Sequence, residues 1–176
     1  MSASTKLTLQ SLALRLRGLE AERAARNTLA RYMTLCDQPC HDRAFPQLGD
    51  LFTDHAVWEG VGEQYAQSFG RQVGRTAITA FLGRYLAPST HFKRNLHFLT
   101  SDQVTVSEDG ELVQGQWIML QISTYEDGRS EAISARLNIE FIAAPDGRWL
   151  MAHFRTQRLD CVPWDVITPE THVVRG

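Results

Sequence analysis

The sequence predicts an α+β fold, with helices gathered first and a long antiparallel sheet after them. Three observations carry this reading. Leucines recur at three- and four-residue steps through the first third of the chain, with arginines and glutamates between them. Four long strand-like runs fill the stretch from Arg94 to Leu159. The turns between those runs each carry Asp-Gly, at Asp109-Gly110, Asp127-Gly128 and Asp146-Gly147, which marks consecutive hairpins. Helices that precede a meander make α+β, and the sheet must cover its apolar face with them. Strands this long curl and leave a hollow under the helices, a natural pocket for a small molecule.

Each element has its own signal. Leu9, Leu12, Leu16 and Leu19, then Leu29, Tyr32, Met33 and Cys36, form the stripe of one long amphipathic helix, or of two joined near Gly18. Pro39 ends it, because the residue before a proline avoids helical geometry. Phe45, Leu48, Leu51 and Phe52 give a short helix over Asp42 to Phe52. Ala56 to Val61 reads as a short strand, with Gln64 to Phe69 pairing back to it through the Gly62 turn. "GRTAITAFLGRYL" supplies a third helix, with Ile78, Phe81, Leu82 and Tyr85 as its stripe and Pro88 as its stop. The strands are Arg94 to Val106, Glu111 to Tyr125, Arg129 to Ala143 and Arg148 to Leu159. The chain thus divides into a helical extension (1–19), a main domain (20–160) and an irregular tail (161–176) that carries Pro163 and Pro169.

Composition narrows the function. The chain has 176 residues, 43% of them hydrophobic and 22% charged, which is enough to bury a core in one domain. A formal net charge of -2 offers no basic field for nucleic acid or an anionic membrane. The start reads as neither signal peptide nor membrane span, so a cytoplasmic setting is expected. Three cysteines, Cys36, Cys40 and Cys161, lack framework spacing and suit a reducing compartment. Cys36, Cys40 and His41 invite zinc, but no second ligand pair follows, so no metal is expected. No phosphate loop, dinucleotide fingerprint or nucleophile elbow occurs, and no cofactor is expected.

Acid/base chemistry at neutral pH calls for a histidine held by a carboxylate. His91 lies just after the third helix, and Tyr32 and Asp37 lie near the end of the long one. Five residues turn a helix by about 140°, so the last two share a face only if the helix loosens near Pro39. Tyr32 also fits the core stripe, Asp37 fits a cap and His91 fits a solvent loop. His97 shares parity with Asn95 and Leu99 and reads as wall or filler. On the third long strand Ile133, Ala135, Leu137, Ile139 and Phe141 oppose Ser134, Arg136, Asn138 and Glu140. That polar face is either wet or the lining of a polar cavity. On the last strand His153 and Arg155 point the same way. Trp117, Met119 and Gln121 oppose Ile118, Leu120 and Ile122, so that strand is covered on both sides.

The run "ARYMTLCDQPCHDRAFPQLGDLFTDHAVWEG", then "GRTAITAFL", "STHFKRN" and "PDGRWLMAHFR", resembles the SnoaL-like branch of the nuclear-transport-factor-2-like superfamily. The likeness covers about residues 20 to 160. It implies a cone-shaped, cystatin-like α+β fold: a curved mixed or antiparallel sheet packed by N-terminal helices around a deep pocket. Tyr32 and Asp37 are similar to the tyrosine and aspartate of bile acid 7α-dehydratase, and "STHF" places His91 on the catalytic histidine of that enzyme and of scytalone dehydratase. Asn138 falls on a pocket asparagine of the latter. Arg136 replaces its serine, Ile122 stands near its second histidine, and Trp58 or Glu59 is nearest to its tyrosine, so scytalone is not the expected substrate.

The resemblance implies a cofactor-free dehydratase or isomerase with Tyr32, Asp37 and His91 catalytic, acting on an apolar ring that carries a carbonyl. Trp58, Phe92, Arg136, Asn138 and His153 would bind that ring. The other implied readings are a non-catalytic binding or assembly domain and the small subunit of a ring-hydroxylating dioxygenase. The family also implies a homodimer or higher homo-oligomer, joined through the outer sheet face.

Overall fold

The computed structural model describes residues 8–37, 44–86 and 91–164. Helix α1 runs unbroken from Leu9 to Cys36. Thr8 starts it with a capping box: its hydroxyl accepts from the Ser11 amide at 3.1 Å, and Ser11 Oγ accepts from the Thr8 amide at 3.0 Å. Gly18 does not divide the helix, and the space a Cβ would take there is empty. Ala21, Ala25, Leu29, Tyr32 and Met33 form the buried stripe. Leu9, Leu12, Leu14, Leu16 and Leu19 stay exposed on the first turns.

Helix α2 spans Ala44–Gly49, strand β1 Phe52–Val61, helix α3 Gly62–Ser68, strand β2 Arg71–Val73 and helix α4 Arg75–Leu82, which runs on into a 3₁₀ turn at Gly83–Tyr85. The expected strand at Gln64 to Phe69 is instead mostly helix α3. Gly62 has φ +74, a left-handed value that turns the chain, and the Glu63 to Ala66 stretch favours helix. The doubling-back is tight: a Cβ on Gly60 would lie 2.3 Å from the Tyr65 carbonyl oxygen. The segment that pairs antiparallel with β1 is β2.

Strands β3 (Phe92–Val106), β4 (Leu112–Tyr125), β5 (Ser130–Ala143) and β6 (Trp149–Pro163) form the meander. The sheet order is β2-β1-β6-β5-β4-β3, antiparallel except where β1 runs parallel to β6. Each Asp-Gly turn has its glycine at positive φ, from +75 to +88, and its aspartate accepting from the amide two residues on. The expected irregular tail begins later than Cys161: Cys161, Val162 and Pro163 continue β6 opposite Ile133, Ala132 and Glu131. Pro163 is the last strand residue, where its missing amide costs the ladder little.

The sheet curls under α1 and α4, and the core lies between them. Phe52, Leu29, Ile78, Leu137, Ile139, Phe141 and Met151 are among its fully buried side chains. Trp117 fills one end by lying across Gly115, where a Cβ would come within 2.1 Å of the indole. Two bulges interrupt β3, between Phe92 and Arg94 and between Thr100 and Gln103. The first sets which side chains face inward.

Candidate functional site

The curl encloses a cavity of about 120 Å³, close to the volume of roughly 150 Å³ that accepts benzene elsewhere. Its mouth and walls are mainly aromatic. Trp58 from β1 stacks on Phe154 from β6, with centroids 5.6 Å apart and planes 6° apart. Phe81 from α4 packs on Trp58 at 5.0 Å, and Tyr32 from α1 packs on Phe154 at 5.1 Å. Phe92, Met119 and Leu137 are among the other apolar side chains of the wall.

Polar groups converge from α1, β3 and β4. Asp37 caps the end of α1, where its backbone amide closes the last turn onto Met33. Its Oδ1 accepts from the His97 backbone amide at 2.9 Å and meets His97 Nδ1 at 2.6 Å. A carboxylate only accepts, so Nδ1 carries a proton; in the neutral ring the lone pair is then on Nε2. The His97 side chain is 9% exposed and lines the cavity. Among the described residues Nε2 has no hydrogen-bond partner.

Tyr32 Oη accepts from Trp58 Nε1 at 3.3 Å, which leaves its own proton to donate. Burial and the neighbouring Cys36 push the Tyr32 hydroxyl well above the ordinary phenol value, so it stays protonated. Burial likewise pushes the Cys36 thiol up to about 12, which makes it a poor nucleophile. Beside His97 lies a buried amide cluster. Asn95 Oδ1 accepts from Gln121 Nε2 at 2.9 Å and from Ser123 Oγ at 2.8 Å.

The structure brings Tyr32, Asp37, Trp58 and Phe92 to this region and does not bring His91. His91 is exposed, its ring packed against Tyr85 at 5.0 Å, Phe92 at 4.4 Å and Tyr125 at 5.6 Å. The cause is the first bulge. Strict alternation would put His91 on the face of Asn95 and His97, but the extra residue in β3 reverses the phase. Phe92 therefore turns in, His91 turns out, and the partner of Asp37 is His97.

Arg136, Asn138 and His153 stand on the opposite, outer face of the sheet instead of in the cavity wall. Leu137, Phe154 and Thr156 face the cavity, so their strand neighbours must face away. Asn138 borders a shallow polar groove there with Gln116, Glu140 and Arg155. His153 Nε2 meets Glu59 Oε1 at 2.8 Å, and Arg155 Nε donates to the same oxygen at 3.1 Å. Asn95, Gln121 and Ser123 are site residues that sequence reasoning did not select, and His97, read as wall or filler, does line the wall but also holds the contact with Asp37. The available signal was parity: Gln121 and Ser123 share the face of Trp117 and Met119 on β4.

Cys40 and His41, considered for zinc, lie outside the described residues. Among the described residues no three His, Cys, Asp or Glu side chains are grouped to hold a metal, and no helix is long and apolar enough to cross a membrane.

Comparison with solved structures places this fold among known ones. An NTF2-like protein with a cystatin-like fold from Novosphingobium aromaticivorans is 25% identical, with a TM-score of 0.68 over 88% of this chain and 92% of that one. A hexachlorocyclohexane dehydrochlorinase of LinA type 3 from Novosphingobium barchaimii is 18% identical, with a TM-score of 0.69 over 87% and 96%. A candidate scytalone dehydratase from Novosphingobium aromaticivorans is 17% identical, with a TM-score of 0.68 over 84% and 90%. No curated protein sequence matches the chain. The family model of the SnoaL-like domain matches residues 17–155, which takes in most of α1, all of the cavity lining but Thr156, and about the first half of β6. The chain belongs to the SnoaL-like family, within the nuclear-transport-factor-2-like superfamily.

Proposed function

We propose that the chain is a cofactor-independent acid/base enzyme acting on a small, largely apolar ring that carries a carbonyl group. The observation that supports this most is the hold of Asp37 on both N–H groups of His97, which leaves the imidazole lone pair on the cavity side. His97 Nε2 takes the proton alpha to the carbonyl, and Asp37 balances the imidazolium charge that results. The Tyr32 hydroxyl donates to the oxygen that becomes an enolate. The imidazolium then gives the proton up. Passed to a hydroxyl leaving from the beta carbon it completes a dehydration; passed to another carbon it completes an isomerisation. Trp58, Phe92 and Phe154 hold the ring and exclude water, which strengthens the charge interactions inside. Two structural neighbours carry names for eliminations, a dehydrochlorinase and a dehydratase, the same class of step. The reading includes a cytoplasmic setting and a homodimer joined over the exposed Leu96, Phe98 and Leu120 of the outer sheet face.

Cyclohexanone in deuterium oxide tests the chemistry, with loss of its alpha-proton signals followed by NMR. The protein is expected to accelerate exchange, and His97→Ala to lower the protein-catalysed rate by on the order of 10²- to 10⁴-fold. His91→Ala is expected to leave it unchanged. Exchange that survives His97→Ala, or that falls only in His91→Ala, overturns the assignment.

A further inference from the structure

We propose that Gln121 is a specificity-determining residue: its carboxamide oxygen is a fixed acceptor in the cavity wall that selects a substrate hydroxyl beside the reacting carbon. This rests on the reading of His97 as the base.

The argument starts at the end of α1. The Cys36 backbone carbonyl can only accept, and Asn95 Nδ2 donates to it at 3.4 Å. That contact fixes which way the Asn95 amide points, so Oδ1 faces β4. Gln121 Nε2 donates to Asn95 Oδ1 at 2.9 Å and to Ser123 Oγ at 2.9 Å. Ser123 passes its own proton to Asn95 Oδ1 at 2.8 Å. Both amide protons of Gln121 are thereby used, and its oxygen is left on the other side. Gln121 lines the cavity. Among the described residues Oε1 has no partner, and no buried side-chain nitrogen or oxygen lacks one, so this oxygen is open to the cavity. A flipped Gln121 amide would set its oxygen against Asn95 Oδ1, acceptor against acceptor, so the orientation is locked.

Gln121 lies directly across from His97 in the β3–β4 ladder. Cβ atoms of such pairs are about 5 Å apart. One wall therefore presents two acceptors side by side, the imidazole lone pair and the amide oxygen, while Tyr32 is the donor that meets the carbonyl. A ring with a hydroxyl near the carbon that loses its proton satisfies the amide oxygen. A ring with a halogen, ether or second carbonyl at that place leaves it unpaired, and a polar group left unpaired beneath a ring that displaces its water is costly.

Phenol and fluorobenzene test this, since they share a shape and only phenol donates. Their dissociation constants are read by titration against the NMR signal of the Trp58 indole N–H. The ratio favouring phenol is expected to be about two- to tenfold larger in the wild type than in Gln121→Met. Gln121→Leu serves as a second variant should the first fold poorly. A merely structural loosening weakens both probes alike and leaves the ratio unchanged. Equal affinities in the wild type, failure of both probes to bind, or a wild-type ratio in either Gln121 variant overturns the proposal. A ratio that collapses only in His97→Ala assigns the acceptor to the imidazole and also overturns it. The exchange of cyclohexanone protons reads the base independently, so the two assignments fail separately.

Discussion

One oxygen of Asp37 accepts from two N–H groups of the same residue, the amide and ring of His97. This fixes the ring plane and the tautomer together. Asp37→Asn keeps the size and changes the donor pattern: an amide N–H facing Nδ1 favours the proton on Nε2 and removes the base. Cyclohexanone exchange is expected to fall by on the order of 10³- to 10⁴-fold, with phenol affinity little changed. A variant with undiminished exchange would show that the carboxylate plays no part in holding the imidazole. Half of this pair was legible from the sequence. Asp37 and Tyr32 stood out because the helix has to end before Pro39 and carries both near that end. His97 was hidden because alternation gives His91 and His97 the same face, and only the bulge at Phe92–Arg94 separates them. A bulge leaves no mark in residue types here, since Lys93 and Arg94 suit any exposed position. Arg136, Asn138 and His153 failed as cavity residues for the opposite reason: alternation on β5 and β6 was read correctly, but polar residues opposite a buried stripe usually face solvent.

The elements were more legible than the side chains. The three Asp-Gly turns fixed where β3 to β6 fold back on one another, because each places a glycine at positive φ, while bulges shift the register further along the strands. The Gln64 to Phe69 stretch was harder, since a six-residue run is compatible with strand or helix until its neighbours are known. Helix α1 crosses Gly18 with neither break nor contact. Gly18→Ala is therefore expected to raise stability by up to about 0.5–1 kcal/mol, seen as a higher denaturation midpoint and slower amide exchange over 10–20. A drop in stability would mean that the bare backbone is needed there. The exposed leucines of the same turns show why amphipathicity overstated burial: a leucine stripe reports what a helix can bury, and only from Ala21 onward does α1 have a sheet beneath it.

At the scale of the whole molecule, β1 and β6 are joined on the outer face by charge. Burial alone would raise the Glu59 carboxyl, but hydrogen bonds from His153 and Arg155, with Arg71 nearby, outweigh it and hold the carboxyl below its usual range. A carboxyl depressed in the folded state adds stability above its unfolded value, about 4.3, and loses that contribution as pH falls through the folded value. The melting temperature is thus expected to fall on acidification below about pH 4.3, and less steeply in Glu59→Gln. Parallel melting curves for the two proteins across that range would refute a role for this joint. The same seam sets Glu59 opposite Arg155, in a pair that unites early and late parts of the chain. A ribosome must therefore deliver the chain as far as β6 before Trp58 can meet Phe154. Until then the nascent aromatic residues have no lining to join, and the cavity takes shape only when β6 closes against β1.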